Sequence, residues 1–162
     1  MKNKQGFTLI ELLVVVLIIG ILAASATTQY QKSVIRSRYS SLKAIARAIA
    51  NAQEIYYLAN GTYTIKLDEL AVNIPGITRE IDQGGEGTTF QFNEGTCTLW
   101  DTYVQCNHNK VSVVYGIFYQ NAYVHPGKQL CRSTDRALDF LCQQDSGTTT
   151  YSGDENKRRW YW

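Results

Sequence analysis

The sequence predicts an α+β fold: a long N-terminal hydrophobic, then amphipathic, helix followed by an antiparallel β-sheet globular head. Three observations carry this. Residues Phe7 to Ala26 form an almost unbroken apolar run, and apolar residues then recur at spacings of three and four as far as about Leu58. After Asn60-Gly61 the composition changes to short runs rich in Thr, Val, Phe and Tyr, separated by turn residues.

As a helix at about 1.5 Å per residue, the run from Phe7 to Ala26 spans roughly 30 Å, the thickness of a bilayer core. Lys2 and Lys4 precede it, so the positive-inside rule keeps the short N-terminal end cytoplasmic and the rest of the chain outside. Lys32, Arg36, Arg38, Lys43 and Arg47 pull against that orientation, with no acid until Glu54. Hydrophobic length and the distal cysteines outweigh them. One carboxylate, Glu11, stands near the start of the run; an ionised side chain in hydrocarbon is costly and calls for a cationic partner. Ala24-Ser25-Ala26 also fits an ordinary signal-peptide cleavage site, which would start the mature chain at Thr27.

Beyond the apolar run, Val34, Leu42, Ile45, Ile49, Ala52 and Tyr56 make the stripe that a sheet would cover. Lys32, Arg36, Lys43 and Arg47 share another face, read as solvated or subunit-facing. Asn60-Gly61 stops the helix. Thr62 to Gly87, containing Pro75-Gly76 and Gly84-Gly85, reads as a long connection with a short helical turn around Asp68 to Ala71. Strands are expected over Thr88 to Phe92, Thr98 to Gln105, Val111 to Tyr119 and Ala122 to Val124, paired as antiparallel hairpins. The closing Arg158-Arg159-Trp160-Tyr161-Trp162 should dock onto the head or a neighbour.

Composition narrows the function. The 162 residues leave room for one ordinary domain besides the apolar segment. Lys2 and Lys4 account for the whole net charge of +2, so the balance argues for no specific nucleic-acid partner. Four cysteines in an exported head suggest disulfides, with three pairings possible and proximity favouring Cys97 with Cys106 and Cys131 with Cys142. The cysteines stand far apart, and neither His108 nor His125 completes a zinc-ligand spacing, so no metal and no cofactor are expected. The two histidines read as surface or structural residues. No catalytic constellation or phosphate-binding loop is present, and a non-enzymatic chain is expected.

The stretch Lys4-Gln5-Gly6-Phe7-Thr8-Leu9-Ile10-Glu11, continued by Leu12 to Ala24, resembles the N-terminus of type IV prepilins, shared by pilins and the pseudopilins of type II secretion. The likeness is specific over about residues 4 to 31, including Tyr30-Gln31, and looser at Asn60-Gly61-Thr62-Tyr63 and the late cysteines. It implies the type IV pilin fold, with residues 1–6 as a leader, 7–28 as a transmembrane and filament-core helix and 29–162 as the head. It also implies that a prepilin peptidase cuts between Gly6 and Phe7 and methylates the new Phe7 amine. Glu11 would then pair with the amine of a neighbouring subunit during assembly. The resemblance places the chain in the inner membrane before assembly, head outside, and afterwards in a cell-surface filament, a helical homo-oligomer built with the pilus assembly machinery. Cys131 to Cys142 resembles the disulfide-bounded region of pilins. The chain departs from the family at Thr28, which stands where a helix-bending proline is usual. Major pseudopilins carry a calcium-binding C-terminal loop instead of this cysteine pair, which favours a pilin, although Asp135, Asp139 and Asp145 could still attract a cation. Gly20 falls where assembled pilins lose helicity. A pseudopilin or minor pilin of a secretion or DNA-uptake system is the near alternative, and a secreted binding or enzymatic domain the distant one.

Overall fold

The computed structural model describes residues 6–82, 84 and 87–162. Lys2, Lys4 and most of the expected leader lie outside the described residues. Two compact units are distinguished, Met1–Arg36 and Ser37–Trp162. Helix α1, Leu9–Asn60, continues across their boundary and passes Thr28 without a break in its helical assignment. It ends where expected: Gly61 adopts φ 74°, a conformation that costs glycine little, and its N–H donates to the Tyr57 carbonyl.

Within the second unit, α1 buries Tyr39, Leu42, Ala46, Ile49, Ala50, Ala52 and Gln53. The stripe is therefore rotated from the sequence reading. Leu42, Ile49 and Ala52 lie in it, while Val34, Ile45 and Tyr56 are only half-buried. Ala46 and Ala50 are buried beside Leu42, Ile49 and Ala52, and the large ring of Tyr39 packs edge-on against Tyr115 at 6.0 Å. Burying Leu42 and Ile49 contributes about 1.5–3 kcal/mol each.

Seven antiparallel strands follow in one meander whose spatial order is the chain order. They are β1 Ile77–Asp82, β2 Gly87–Phe92, β3 Gly95–Trp100, β4 Tyr103–His108, β5 Val111–Phe118, β6 Gln129–Ser133 and β7 Arg158–Tyr161. Between β6 and β7 lie a 3-10 turn, Arg136–Leu138, and the short helix α2, Asp139–Ser146. Alternate residues of β2 to β7 make one dry layer: Phe90, Leu99, Val104, Val113, Tyr115 and Trp160 are each at most 1% exposed.

Four readings of the strands need correction. The run Thr98 to Gln105 is two strands joined by the Asp101-Thr102 turn, because Cys97 pairs directly across from Cys106 and the chain must reverse between them. Ala122 to Val124 is not a strand. There the chain turns through His125, at φ 50°, and Gly127, at φ 69°, and the Gly127 N–H returns to the Tyr119 carbonyl. β1 lies inside the expected connection, a charged edge strand with little apolar content. β6 and β7 were not expected as strands; they pair with one another, so the C-terminal aromatics dock on their own head, with Trp160 buried.

The rest of the connection is fastened by α1. Gln53, fully buried, accepts from the Thr64 N–H and donates to the Thr64 carbonyl, as a neighbouring strand would. Glu54 accepts from the Gln120 N–H at 2.8 Å and from the Tyr63 hydroxyl at 3.2 Å. These contacts join the helix end, the connection and the β5–β6 loop.

Candidate functional site at the N-terminal helix

The N-terminal unit has the surface of a segment made to be covered. Phe7 is 86% exposed, and each large apolar side chain from Leu9 to Leu22 is at least 47% exposed. A contiguous apolar surface of this size marks a membrane or protein contact. Its 18-residue window is long and apolar enough to cross a membrane, with a mean hydropathy of 2.8. A Cβ at Gly20 would meet nothing within 4 Å, so the glycine is not required by packing inside this chain.

Glu11 has a local role that the charge argument alone misses. Thr8 precedes the first helical residue, and its N–H donates to Glu11 Oε2 at 2.8 Å. The Thr8 hydroxyl donates to the same oxygen at 2.7 Å, and the Glu11 N–H donates back to Thr8 Oγ1 at 3.3 Å. Thr8-Leu9-Ile10-Glu11 is thus a capping box, a signal readable in the sequence as Thr-x-x-Glu. The carboxylate is held beside Phe7 by its own helix, within the turn that would carry a new amine if the bond after Gly6 were cut.

Farther along, hydroxyls bond back to the helix rather than outward. Ser25 donates to the Leu22 carbonyl, Thr27 to Ala23, Thr28 to Ser25 and Ser33 to Gln29. Such bonds satisfy polar groups in an apolar setting and place hydroxyl donors where the family usually has a proline.

In the second unit, the structure joins Cys97 to Cys106 across β3 and β4, and Cys131 on β6 to Cys142 on α2. Helix α2 is further fastened at both ends. At its start Asp139 meets Arg158 of β7 at 2.7 Å, the two side chains 15% and 3% exposed. At its end Asp145 accepts from Lys43 at 2.8 and 2.9 Å and from the Tyr39 hydroxyl at 2.9 Å. Burial, then the charge of Asp145, drives the Tyr39 phenol far above its ordinary range. Lys43 is therefore drawn out of the solvated stripe that its helical position predicts.

The three aspartates considered for calcium do not converge: Asp135 caps the Ala137 N–H, while Asp139 and Asp145 hold separate cations. Among the described residues no group of three metal-ligating side chains is present. His108 is buried, 6% exposed, and its Nδ1 accepts from the Lys110 N–H. Desolvation holds its pKa below the ordinary imidazole value. His125 is exposed and stacks on Tyr161 at 4.6 Å. The structure brings neither histidine to a nucleophile.

Residues 1–27 match the family described as the prokaryotic N-terminal methylation motif. The chain is 46% identical over 65 residues to a probable minor fimbrial protein of Dichelobacter nodosus, covering 40% of each chain. It is 39% identical over 97 residues to the type IV major fimbrial protein FimA of the same organism, covering 59% of this chain and 56% of FimA. To the type IV major pilin protein PilE1 of Neisseria gonorrhoeae it is 42% identical over 60 residues, 37% of this chain and 36% of PilE1. The chain thus spans well under two thirds of the length of these relatives. No solved structure matches. The N-terminal motif, the relatives and the α+β architecture together support a type IV pilin.

Proposed function

We propose that the chain is a non-enzymatic structural subunit of a type IV pilus filament. The observation that carries this is the uncovered apolar surface of Phe7 to Leu22, set directly behind a methylation motif. Residues 1–6 act as a leader, 7–28 as the membrane and filament-core segment, and 29–162 as the head. A prepilin peptidase cuts between Gly6 and Phe7 and methylates Phe7. Before assembly the segment sits in the inner membrane; polymerisation by the assembly machinery then packs the apolar helices against each other and out of lipid. Glu11, already placed in the first turn, receives the Phe7 amine of a neighbour. A misregistered subunit leaves both charges unpaired in a low-dielectric core, which selects the correct axial step. The two disulfides stabilise a head exposed at the cell surface.

A second reading, a minor subunit of such a filament, is supported by the relatives named as probable minor fimbrial proteins. N-terminal mass spectrometry of the mature chain tests both. A start at Phe7 carrying one added methyl group is expected, and a start at Thr27 overturns the filament reading.

A further inference from the structure

His108 ends β4 beside two turns, Asn93-Glu94 between β2 and β3 and Asn109-Lys110 between β4 and β5, and the Asn109 N–H donates to the Glu94 carbonyl at 2.9 Å, tying one turn to the other. These five residues and Arg38 of α1 line a cavity of about 140 Å³. At roughly 30 Å³ for each water-sized group, the space suits one small polyatomic ion. The imidazole sets the polarity of this cavity. Because Nδ1 accepts from the Lys110 N–H at 3.0 Å, the neutral ring carries its proton on Nε2. The side chain is 4% exposed, and Nε2 is buried without a hydrogen-bond partner. It faces the cavity, since Glu94, whose Oε2 lies 3.8 Å away and beyond hydrogen-bond reach, belongs to the lining. A buried donor left unmatched is costly, and a ligand that accepts from it removes that cost.

The charges around that donor do not balance. Burial holds the imidazole below its ordinary value; Glu94 opposes that shift, and Arg38 and Lys110 add to it, so both cations act on the ring. Among the described residues neither Arg38 nor Lys110 forms an ion pair, and the cavity keeps a positive charge in excess of its single carboxylate. A metal ion does not suit it: a protonated Nε2 offers no lone pair, and the surplus charge repels a cation. An oxyanion does. A carboxylate presents two oxygens, whereas a tetrahedral phosphate can accept from imidazole, guanidinium and ammonium together. The Glu94 side chain is 65% exposed on its turn and is free to swing outward as an anion enters.

We propose that this cavity binds a phosphate group, with the His108 Nε2–H, the Arg38 guanidinium and the Lys110 ammonium as donors and Glu94 as the group that gives way. A bound phosphate ties α1 to the β2–β3 and β4–β5 turns. The site lies wholly in the second unit, so it goes beyond the filament reading and does not depend on polymerisation. The test is NMR of the full mature chain, carrying isotope-labelled histidine in nonionic detergent, titrated with inorganic phosphate. Only two histidines are present, so the exposed His125 is an internal control. The His108 ring signals should move saturably and those of His125 should not. Arg38→Gln should weaken binding about tenfold or more, and Lys110→Gln, at an exposed turn, about threefold or more. Glu94→Gln should tighten it about threefold or more, a gain that misfolding cannot produce. By linkage, saturating phosphate should raise the proton affinity of His108 about threefold or more, read as an upward shift of its titration midpoint. Glycerol phosphate in place of inorganic phosphate distinguishes the sources: equal or tighter binding assigns the site to a phosphate ester, and weaker binding to the free ion. Absence of a saturable His108 shift, unchanged binding in Arg38→Gln, loss of the response in Glu94→Gln, acetate binding as tightly as phosphate, or equal weakening in Lys32→Gln/Arg36→Gln would each overturn the proposal.

Discussion

Replacing Asp139 by alanine isolates the contact that fastens the start of α2. Arg158 is 3% exposed and Asp139 15%, so the substitution leaves a guanidinium buried without its counter-charge. Breaking a buried pair by removing one partner costs about 3–5 kcal/mol. The lower end applies here, because Arg158 also donates to the Glu155 carbonyl and so retains one partner. At an m-value of about 2 kcal/mol/M, a loss of about 3 kcal/mol moves the urea midpoint down by roughly 1.5 M. Tryptophan fluorescence reads this directly, since Trp160 lies two residues from Arg158 in the same strand and is 1% exposed. Asp139→Ala combined with Arg158→Met removes both charges and should recover most of the loss, giving a coupling energy above about 1.5 kcal/mol in the double-mutant cycle with the two single variants. A loss below about 1 kcal/mol for Asp139→Ala, or simple additivity in the cycle, would refute the assignment of this pair as an anchor of α2.

Glu11→Gln keeps a side chain able to complete the capping box but removes the charge, so processing should proceed and filament yield should fall; normal yield on imaging excludes charge pairing as the assembly determinant. Replacing Cys131 and Cys142 together by alanine should lower head stability by about 3 kcal/mol in the chain-entropy model, read as a drop in melting temperature of roughly 10 °C. His108, held below its ordinary value of 6.5 when folded, binds its proton more readily unfolded, so its contribution is complete above about pH 6.5 and is lost as pH falls toward the folded value. Urea midpoints of the wild type should therefore decline on acidification through that window, and His108→Gln should flatten the decline.

The elements written in composition were legible in advance, and those created by tertiary pairing were not. The apolar run, the helix stop at Asn60-Gly61, and strands β2 and β5 follow from local pattern. β1, β6 and β7 do not: Thr78-Arg79-Glu80 and Arg158-Arg159 become strands only because a neighbour offers its edge. The same limit applies to the basic residues. Lys43 belongs to a charged stripe on a helical wheel, but Asp145, 102 residues later, decides where it points. Arg38 and Lys110 are unremarkable in sequence and meet around His108 only through the fold. Thr8 was readable, as the first residue of a Thr-x-x-Glu box.

The meander in which spatial order equals chain order lets the head fold in the order in which its strands are synthesised. Each strand finds its partner already delivered, and each cysteine meets its bonding partner within 11 residues or fewer, before a later thiol can compete. The last four-residue strand completes the layer by seating Trp160, so the head finishes only when its C-terminus arrives. A truncated product would present β6 as an open edge and an unfilled indole site, features that proteases and chaperones recognise.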